Sequence, residues 1–402
     1  MSLRRQPSSE LLGYYHSFAG ADLFSTFGKK QLGRFGTVMV KKTARTKTID
    51  AATRPGARRA AMPAIIKPML ATLVDEAFSD PNWIFETKWD GFRSVCFLKN
   101  GKARFVSRNQ LEMSAQYPEL ATVGEHINAR QAILDGEIVA LDENGMPRFQ
   151  LLQARHGRKN TGEIARLAAR SRLVYYVFDL LYYDGYDLTA CAVVDRKAIL
   201  EQIVKPAKIV SYSFHIDGEG KEFFKEIEKF RLEGMMAKRA ASTYVQKRSS
   251  DWLKVKTIQR SEVVVGGYTK PRNSREYFGA LVAGLYRDGK LHYVGHTGGG
   301  FNRQSLKQIY DLLQPLKTDG CPFVEKPPTN EPVQWVKPKL VAEVKFSEWT
   351  ADHRLRHPVF VGLREDKRPE QCRFEVEHDT EKVVKQASKK RPGQVRKPNS
   401  KK

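Results

Sequence analysis

Cysteine is scarce in this chain of 402 residues: there are four, at positions 96, 191, 321 and 372, and none forms a Cys-x-x-Cys pair. That spacing argues against a zinc ribbon and a small disulfide scaffold, and it fits reduced thiols in a cytosolic protein. Long apolar runs are missing too. No stretch approaches the roughly 20 apolar residues that span a bilayer, and the first residues lack the apolar core of a secretory signal. We therefore expect no membrane segment. The basic start of the chain imitates a transit peptide, but Glu10, Asp22 and Asp50 count against one. Acidic charge is the third shortage, with 45 Asp and Glu against 69 Lys and Arg, a net charge of +24. Such an excess points to a polyanionic partner, nucleic acid or an anionic membrane surface. No internal repeat is visible, which argues against a solenoid.

At 402 residues the chain exceeds one small core, since compact domains hold roughly 100 to 200 residues each. Two globular domains with tails are the expected plan. The positive charge is concentrated at the ends: residues 1–60 carry 12 Lys and Arg against 3 acidic residues, and residues 381–402 carry 9 against 1. Tails of this kind attract phosphate without reading sequence, through counterion release, although a merely solvated tail has the same composition. Residues 1–62 are basic and irregular, and they are expected to be a disordered extension without a fold. Short segments then read as strands: Trp83 to Lys88, Arg93 to Leu98, Ala103 to Val106 and Ala132 to Leu141, with a helix around Tyr117 to Val123. Arg172 to Leu181 reads as a buried strand, and Phe223, Phe224, Ile227 and Phe230 give Gly218 to Leu232 helical spacing. This mixture predicts an α+β domain of mostly antiparallel strands over residues 63–258. Shorter strands with glycine turns follow at Val263 to Tyr268, Ala280 to Tyr286, Leu291 to Val294, Val341 to Phe346 and Pro358 to Leu363. With one helix at Asn302 to Leu316, they predict a small β-barrel over residues 259–377, before a basic tail over 378–402.

Lys88 ends an apolar run, Trp83-Ile84-Phe85, and precedes Asp90-Gly91. An amine so placed is partly desolvated, and cations nearby would ease the deprotonation that a nucleophilic lysine needs. Gly91 would let the backbone turn tightly against a bound nucleotide. Alone, Lys-x-Asp-Gly is weak, because a surface lysine beside a turn is its commoner origin. Further charged groups on strand ends add weight. Glu137 sits on an otherwise apolar strand, Asp135-Gly136-Glu137-Ile138-Val139, where a lone carboxylate is costly unless it binds a cation or hydrogen-bond donors. Glu233 repeats the arrangement ahead of Gly234-Met235-Met236-Ala237-Lys238. Lys254 and Lys256 share one face of the strand Trp252-Leu253-Lys254-Val255-Lys256, both available to phosphate oxygens. Each has a plain origin by itself, a turn carboxylate or a solvated strand face. Together they suit phosphoryl transfer, with a nucleophilic lysine, two acidic metal sites and paired lysines.

In this order the motifs resemble the covalent nucleotidyltransferases, a family of ATP-dependent DNA ligases, RNA ligases and mRNA capping enzymes. The resemblance runs through Lys88-Trp89-Asp90-Gly91-Phe92-Arg93, Ser107-Arg108-Asn109-Gln110, Asp135 to Val139, Phe178-Asp179-Leu180-Leu181, Glu233 to Arg239 and Trp252 to Lys256, and covers about residues 65–375. It is nearest to the ligase domain of bacterial ligase D enzymes, whose barrel ends much like Leu355 to Lys367. The resemblance implies an adenylation domain followed by an OB-fold barrel. It implies ATP-dependent sealing of nicked or broken duplex DNA in repair, through AMP carried on Lys88. Residue by residue, it implies that Glu86 helps hold the adenine, that Phe178 stacks on it, and that Arg93 and Arg108 contact ribose and phosphate. Lys254 and Lys256 would bind the α-phosphate, while Glu137 and Glu233 would hold Mg²⁺ or Mn²⁺ beside the ATP. Arg364, Asp366 and Lys367 would close over the triphosphate and orient the departing pyrophosphate, which needs a hinge, expected over Thr257 to Glu262. Gln110 departs from the family, where glycine commonly follows Ser-Arg-Asn. The family further implies a monomer in the bacterial cytoplasm, associated with the nucleoid, with Ku as a partner in end joining.

Two other functions compete. An RNA ligase or a GTP-using capping-type enzyme shares the Lys-x-Asp-Gly core, and a non-catalytic DNA-binding protein would account for the basic ends. Several further features read as structural. Gly295 to Phe301 is a barrel turn rather than a phosphate loop, because no Gly-Lys-Ser/Thr follows it. His215, His292 and His357 lack ligand spacing. Tyr182-Tyr183 is a strand running into a turn, and Arg155-His156-Gly157-Arg158-Lys159 is equally a DNA contact or a solvated loop.

Overall fold

The computed structural model describes residues 50–153, 161–168, 172–272 and 274–389. The basic segment 1–49, the run Arg155 to Lys159 and the tail beyond 389 lie outside the described residues. In the first domain two sheets face each other. The larger has seven strands among the described residues, in the order Arg58–Arg59, Tyr186–Asp187, Arg172–Tyr183, Gln131–Leu141, Phe92–Lys99 and Lys102–Ser107, with Val210–Tyr212 added beside Arg172–Tyr183. The smaller has five, in the order Ile216–Gly218, Asp80–Thr87, Gly234–Arg239, Arg248–Lys256 and Leu70–Leu73. Pairing is antiparallel except for Val210–Tyr212 and Leu70–Leu73, which join in parallel.

The two-residue alternation of strand side chains decides the layers. In Phe92–Lys99, Cys96 and Leu98 enter a core with Leu134, Ile138 and Tyr175, whereas Val95 and Phe97 point the other way, to Ile133, Tyr182 and Trp252. The second of these cores includes Trp252 of the small sheet, so it joins the two sheets. Because both faces of the large sheet are covered, Gln131–Leu141 is buried along its length apart from Gln131 and Glu137. The far face of the small sheet, with Trp83, Phe85, Leu253 and Val255, is covered by the helix Gly220–Lys229 through Phe223 and Ile227. It is also covered by the helix Thr380–Ser388 through Val383 and Ala387.

The second domain has six strands among the described residues, ordered Lys290–Thr297, Leu281–Arg287, Arg260–Thr269, Val333–Lys345 and Lys317–Thr318, with Val359–Leu363 also on Val333–Lys345. A bridge between Gly299 and Val359, where Phe360 N–H donates to the Gly299 carbonyl at 3.0 Å, closes the sheet into a barrel. Gly300 has φ +88 and presses on the Phe360 backbone, so the glycine run is the barrel turn expected of it. Only Thr257, Ile258 and Gln259 separate the last strand of the first domain from the first strand of the barrel. Thr257 N–H donates to Glu233 O at 3.1 Å on one side and Phe346 N–H to Gln259 O at 3.0 Å on the other, leaving Ile258 between the anchors.

Three expectations need correction. The segment at Tyr117 to Val123 is a 3₁₀ helix, Pro118–His126, because its buried residues Tyr117, Leu120 and Val123 recur every three positions. The described part of the expected extension over 1–62 is structured: Asp50 caps the turn Ala51–Thr53, and Arg58–Arg59 adds a strand to the large sheet. The expected tail over 378–402 contains the helix Thr380–Ser388, capped by Asp379 and packed on the first domain. Its cap and its Val383 to Ala387 spacing are a sequence signal, outweighed in composition by the surrounding lysines.

Candidate active site

The charged motifs converge on a cleft of about 470 Å³ walled by the first domain and the barrel. Alternation along Asp80–Thr87 sends Trp83 and Phe85 into the core beneath the small sheet and puts Glu86 and Lys88 on the cleft side. Lys88 N–H donates to Gly234 O at 2.9 Å, which seats it beside Glu233. Gly91 lines the cleft and also packs closely on a neighbouring strand. A Cβ there would lie 2.1 Å from the Ile138 carbonyl oxygen, so only glycine lets the loop press on the strand that bears Glu137.

The Lys88 ammonium forms a partly buried ion pair with Glu233. Burial pulls its pKa down, but Glu233, and then Asp90 and Glu137, outweigh burial and hold it above the ordinary lysine value. The neighbours of Lys88 are thus carboxylates rather than the cations the sequence led us to expect. Burial pushes Glu137 up to about 8 against the pull of Lys88, Arg364 and Arg93. Burial and the like charge of Glu233 push Asp90 up to about 7 despite Arg260. Among the described residues no hydrogen bond or ion pair reaches the half-buried Glu137 carboxyl, so its charged form needs a cation. Two carboxylates beside a phosphate-sized cleft fit a hard divalent ion, which takes one or two protein carboxylates and completes its shell from substrate phosphates and water. No group of three or more His, Cys, Asp or Glu among the described residues could hold an ion by itself.

At the opposite end, Glu86 is buried between Lys197 and Lys238, each 2.8 Å away. Burial opposes its charge, but the two lysines hold its carboxyl below the usual range, while burial pushes Lys197 down to about 8. Lys238 Nζ lies 4.7 Å from the centre of the Phe178 ring and 4.3 Å from that of Trp252. Arg93 is tied into the wall: Nε and Nη2 fork Asp135 at 3.0 and 2.6 Å, and Nη1 donates to Met69 O at 2.6 Å. Arg108 lines the same wall with no ion pair among the described residues, and burial lowers its pKa. Lys254 and Lys256 both enter the cleft, as their shared strand face predicts, and both pair with Glu375, Lys256 at 3.3 Å.

The barrel contributes Arg364 and Lys367 to the cleft. Arg364 forks Asp366 through two bonds of 2.8 Å, donates to Glu343 at 2.9 Å, and lies 5.2 and 5.0 Å from the rings of Phe92 and Phe149. Lys367 pairs with Glu262 at 2.7 Å. Asp366 lies outside this cleft, buried behind Arg364, and it lines a smaller pocket against Ser107 to Tyr117.

Sequence reasoning missed several participants. Arg260 donates to both oxygens of Asp90 at 2.9 Å and to Glu343 at 3.1 Å, so it links the loop after Lys88 to the barrel. Asn109 and Gln371 exchange amide hydrogen bonds of 3.0 and 2.8 Å across the two domains. Glu343, a carboxylate on an apolar strand like Glu137, carried a readable signal, and so did Asn109 inside its motif. Lys197 lies on the helix Val193–Ile203, whose buried Arg196 and Lys197 break the apolar pattern that would reveal it. Nothing in the local sequence marks Glu375.

Residues 68–256 match the family model for an ATP dependent DNA ligase domain, and residues 274–367 match that for an ATP dependent DNA ligase C terminal region. The multifunctional non-homologous end joining protein LigD of Pseudomonas aeruginosa is 36% identical over 328 residues, covering 79% of this chain and 38% of that protein. LigD of Mycolicibacterium smegmatis is 34% identical over 361 residues, covering 89% and 45%. The chain therefore spans less than half the length of these two relatives. A solved mycobacterial DNA ligase D, complexed with ATP and MES, is 33% identical with a TM-score of 0.57, covering 78% of this chain and 98% of that one. The adenylation-domain wall of the cleft falls within the first model and Glu343, Arg364 and Lys367 of the barrel within the second, and a solved ligase is matched along nearly its whole length. With an adenylation domain joined to an OB-fold barrel, the chain belongs to the ATP-dependent DNA ligase family.

Proposed function

We propose that Lys88 carries AMP as a phosphoramidate and that the enzyme uses it to seal nicks or breaks in duplex DNA. The observation that carries this reading is the placement of Lys88 against Glu233, Glu137 and Asp90, in a cleft also lined by Lys254, Lys256, Arg364 and Lys367. Lys88 first surrenders a proton to solvent, which a cation held at Glu233 and Glu137 would ease by offsetting the carboxylates that keep its pKa up. The amine then attacks the α-phosphorus of ATP, the bond to the bridging oxygen breaks, and pyrophosphate leaves. Next a 5′-phosphate oxygen of DNA attacks the AMP phosphorus, the P–N bond breaks, and Lys88 departs as an amine after taking up a proton from solvent. Finally the 3′-hydroxyl, losing its proton, attacks the 5′-phosphorus and AMP is released. Each displacement is in line, and the protein's work is positioning and charge stabilisation.

In this reading Lys254 and Lys256 take the α-phosphate, and Arg108 reaches ribose or phosphate beside an Arg93 fixed in the wall. Phe178 offers a face to the base, and Glu86 with its two lysines builds the floor beneath it. Glu137 and Glu233 would hold Mg²⁺ or Mn²⁺, which would neutralise charge on the phosphoryl oxygens. Arg364 and Lys367 reach the pyrophosphate, Arg364 being oriented by Asp366 and Glu343. A swing of the barrel about Thr257 to Gln259 would then open the cleft to DNA.

We extend the proposal to DNA end joining on the strength of the LigD relatives' names. A Ku partner, a monomeric state and a nucleoid location in the bacterial cytoplasm belong to it through the resemblance alone. No helix among the described residues is long and apolar enough to cross a membrane. Nicked DNA and nicked RNA duplexes, each offered with ATP and with GTP, test the reading. Sealing of the DNA with ATP is expected, and sealing confined to RNA or to GTP would contradict it.

A further inference from the structure

Glu375 lies where a phosphate site calls for an anion. It belongs to the segment by which the chain leaves the barrel and returns to the adenylation domain. On the barrel side Tyr286 N–H donates to Cys372 O at 2.8 Å, and on the other side His378 N–H donates to Leu73 O at 3.1 Å. The helix Thr380–Ser388 then fastens the chain, with the Thr380 hydroxyl donating to Asp75 at 2.7 Å. Between these anchors the segment crosses the cleft, and Glu375 ion-pairs with both Lys254 and Lys256, with Arg248 a further 3.9 Å contact.

We propose that Glu375 is a resident counter-anion of the phosphate site, which the nucleotide's α-phosphate must displace from Lys254 and Lys256 before AMP transfer. This inference rests on the assignment of those lysines to phosphate made above. Burial opposes the charge of Glu375, but Lys254 and Lys256 outweigh it and hold the carboxyl at about 2, so it competes as a full anion at neutral pH. A carboxylate brings one negative charge and a triphosphate several, so exchange favours ATP and penalises ligands of low charge. The exchange also has a mechanical side. Because the crossing segment is fixed to both domains, moving Glu375 aside shifts the contact between barrel and adenylation domain, which ties phosphate occupancy to barrel position.

The rival role, holding the two lysines in place for substrate, predicts the opposite sign. Self-adenylation of the full chain, measured across ATP concentrations for wild type, Glu375→Gln and Glu375→Ala, separates the two. Displacement predicts that the apparent KM for ATP falls by about three-fold or more in both variants, with the saturated rate moving less than KM. Inhibition by inorganic tripolyphosphate should tighten in parallel. A KM that is unchanged or raised in both variants, while wild type is adenylated normally, overturns the proposal and leaves the nucleotide reading intact. Absence of AMP transfer in wild type at every ATP concentration overturns the nucleotide reading, and this proposal with it.

Discussion

The two ends of the cleft use the same side chains in opposite proportions. At one end a single carboxylate, Glu86, faces two buried lysines, and its pKa is held below the usual range. At the other a single ammonium, Lys88, faces Glu233, Asp90 and Glu137, and the latter two carboxyls are pushed up to about 7 and 8. The first arrangement is satisfied internally and behaves as scaffold. The second is short of positive charge, and an incoming cation or a change of protonation can relieve it. Around Lys88, burial and like charge raise Asp90 and Glu137 while Lys88 holds Glu233 down; around Glu86, two lysines hold the single carboxylate down.

The largest effect should come from Lys88→Ala, which removes the nucleophile. Adenylation and nick sealing should fall by at least about a thousandfold, with DNA binding in a gel-shift assay retained. Next, Glu233→Gln and Glu137→Gln should each slow adenylation by about 10²- to 10³-fold while leaving the melting temperature nearly unchanged. Glu86→Gln should do the reverse. It strands two lysines in the interior and should cost about 3–5 kcal/mol of stability, seen as a lower denaturation midpoint. If Glu86→Gln melts like wild type, the contrast between frame and chemistry is wrong.

A smaller effect tests the frame by pH. His215 packs behind the Glu86 end, hydrogen-bonded to the Tyr212 hydroxyl at 3.1 Å with Asp217 3.9 Å away. Burial, and after it Lys197, push it down to about 4 from the ordinary 6.5. The folded imidazole therefore stays neutral where the unfolded one charges, so stability is present above pH 6.5 and is lost as pH falls toward 4. Comparing denaturant midpoints at neutral and acid pH, His215→Gln should recover about 1–2 kcal/mol of that loss. The smallest effect concerns the Ser107 to Gln110 turn. Gln110 has φ +64, a left-handed conformation that favours glycine, and its side chain donates to Ile66 O at 2.9 Å. Gln110→Gly relieves strain and loses that bond, so stability should change by less than about 1 kcal/mol.

How much of this was legible in the sequence follows from which contacts are local. Strand alternation placed Lys254 and Lys256 together, and the apolar runs located most strands of both domains to within a few residues. The sign of the field at Lys88 was not legible, because it depends on Glu137 and Glu233 arriving from other strands. Arg260, Glu343 and Glu375 act across a domain boundary that no residue spacing encodes. The helix Val193–Ile203 was hidden for a related reason: its buried Arg196 is matched by Asp179 and its buried Lys197 by Glu86, both on distant strands.

In the proposed function Lys88 is the group that accepts AMP. Intact-protein mass spectrometry after incubation with ATP and Mg²⁺, followed by peptide mapping, tests it directly. The expected result is a gain of one AMP per chain, located on Lys88, reversed by pyrophosphate and absent in Lys88→Ala. AMP mapped to another residue, or retained by Lys88→Ala, would contradict it.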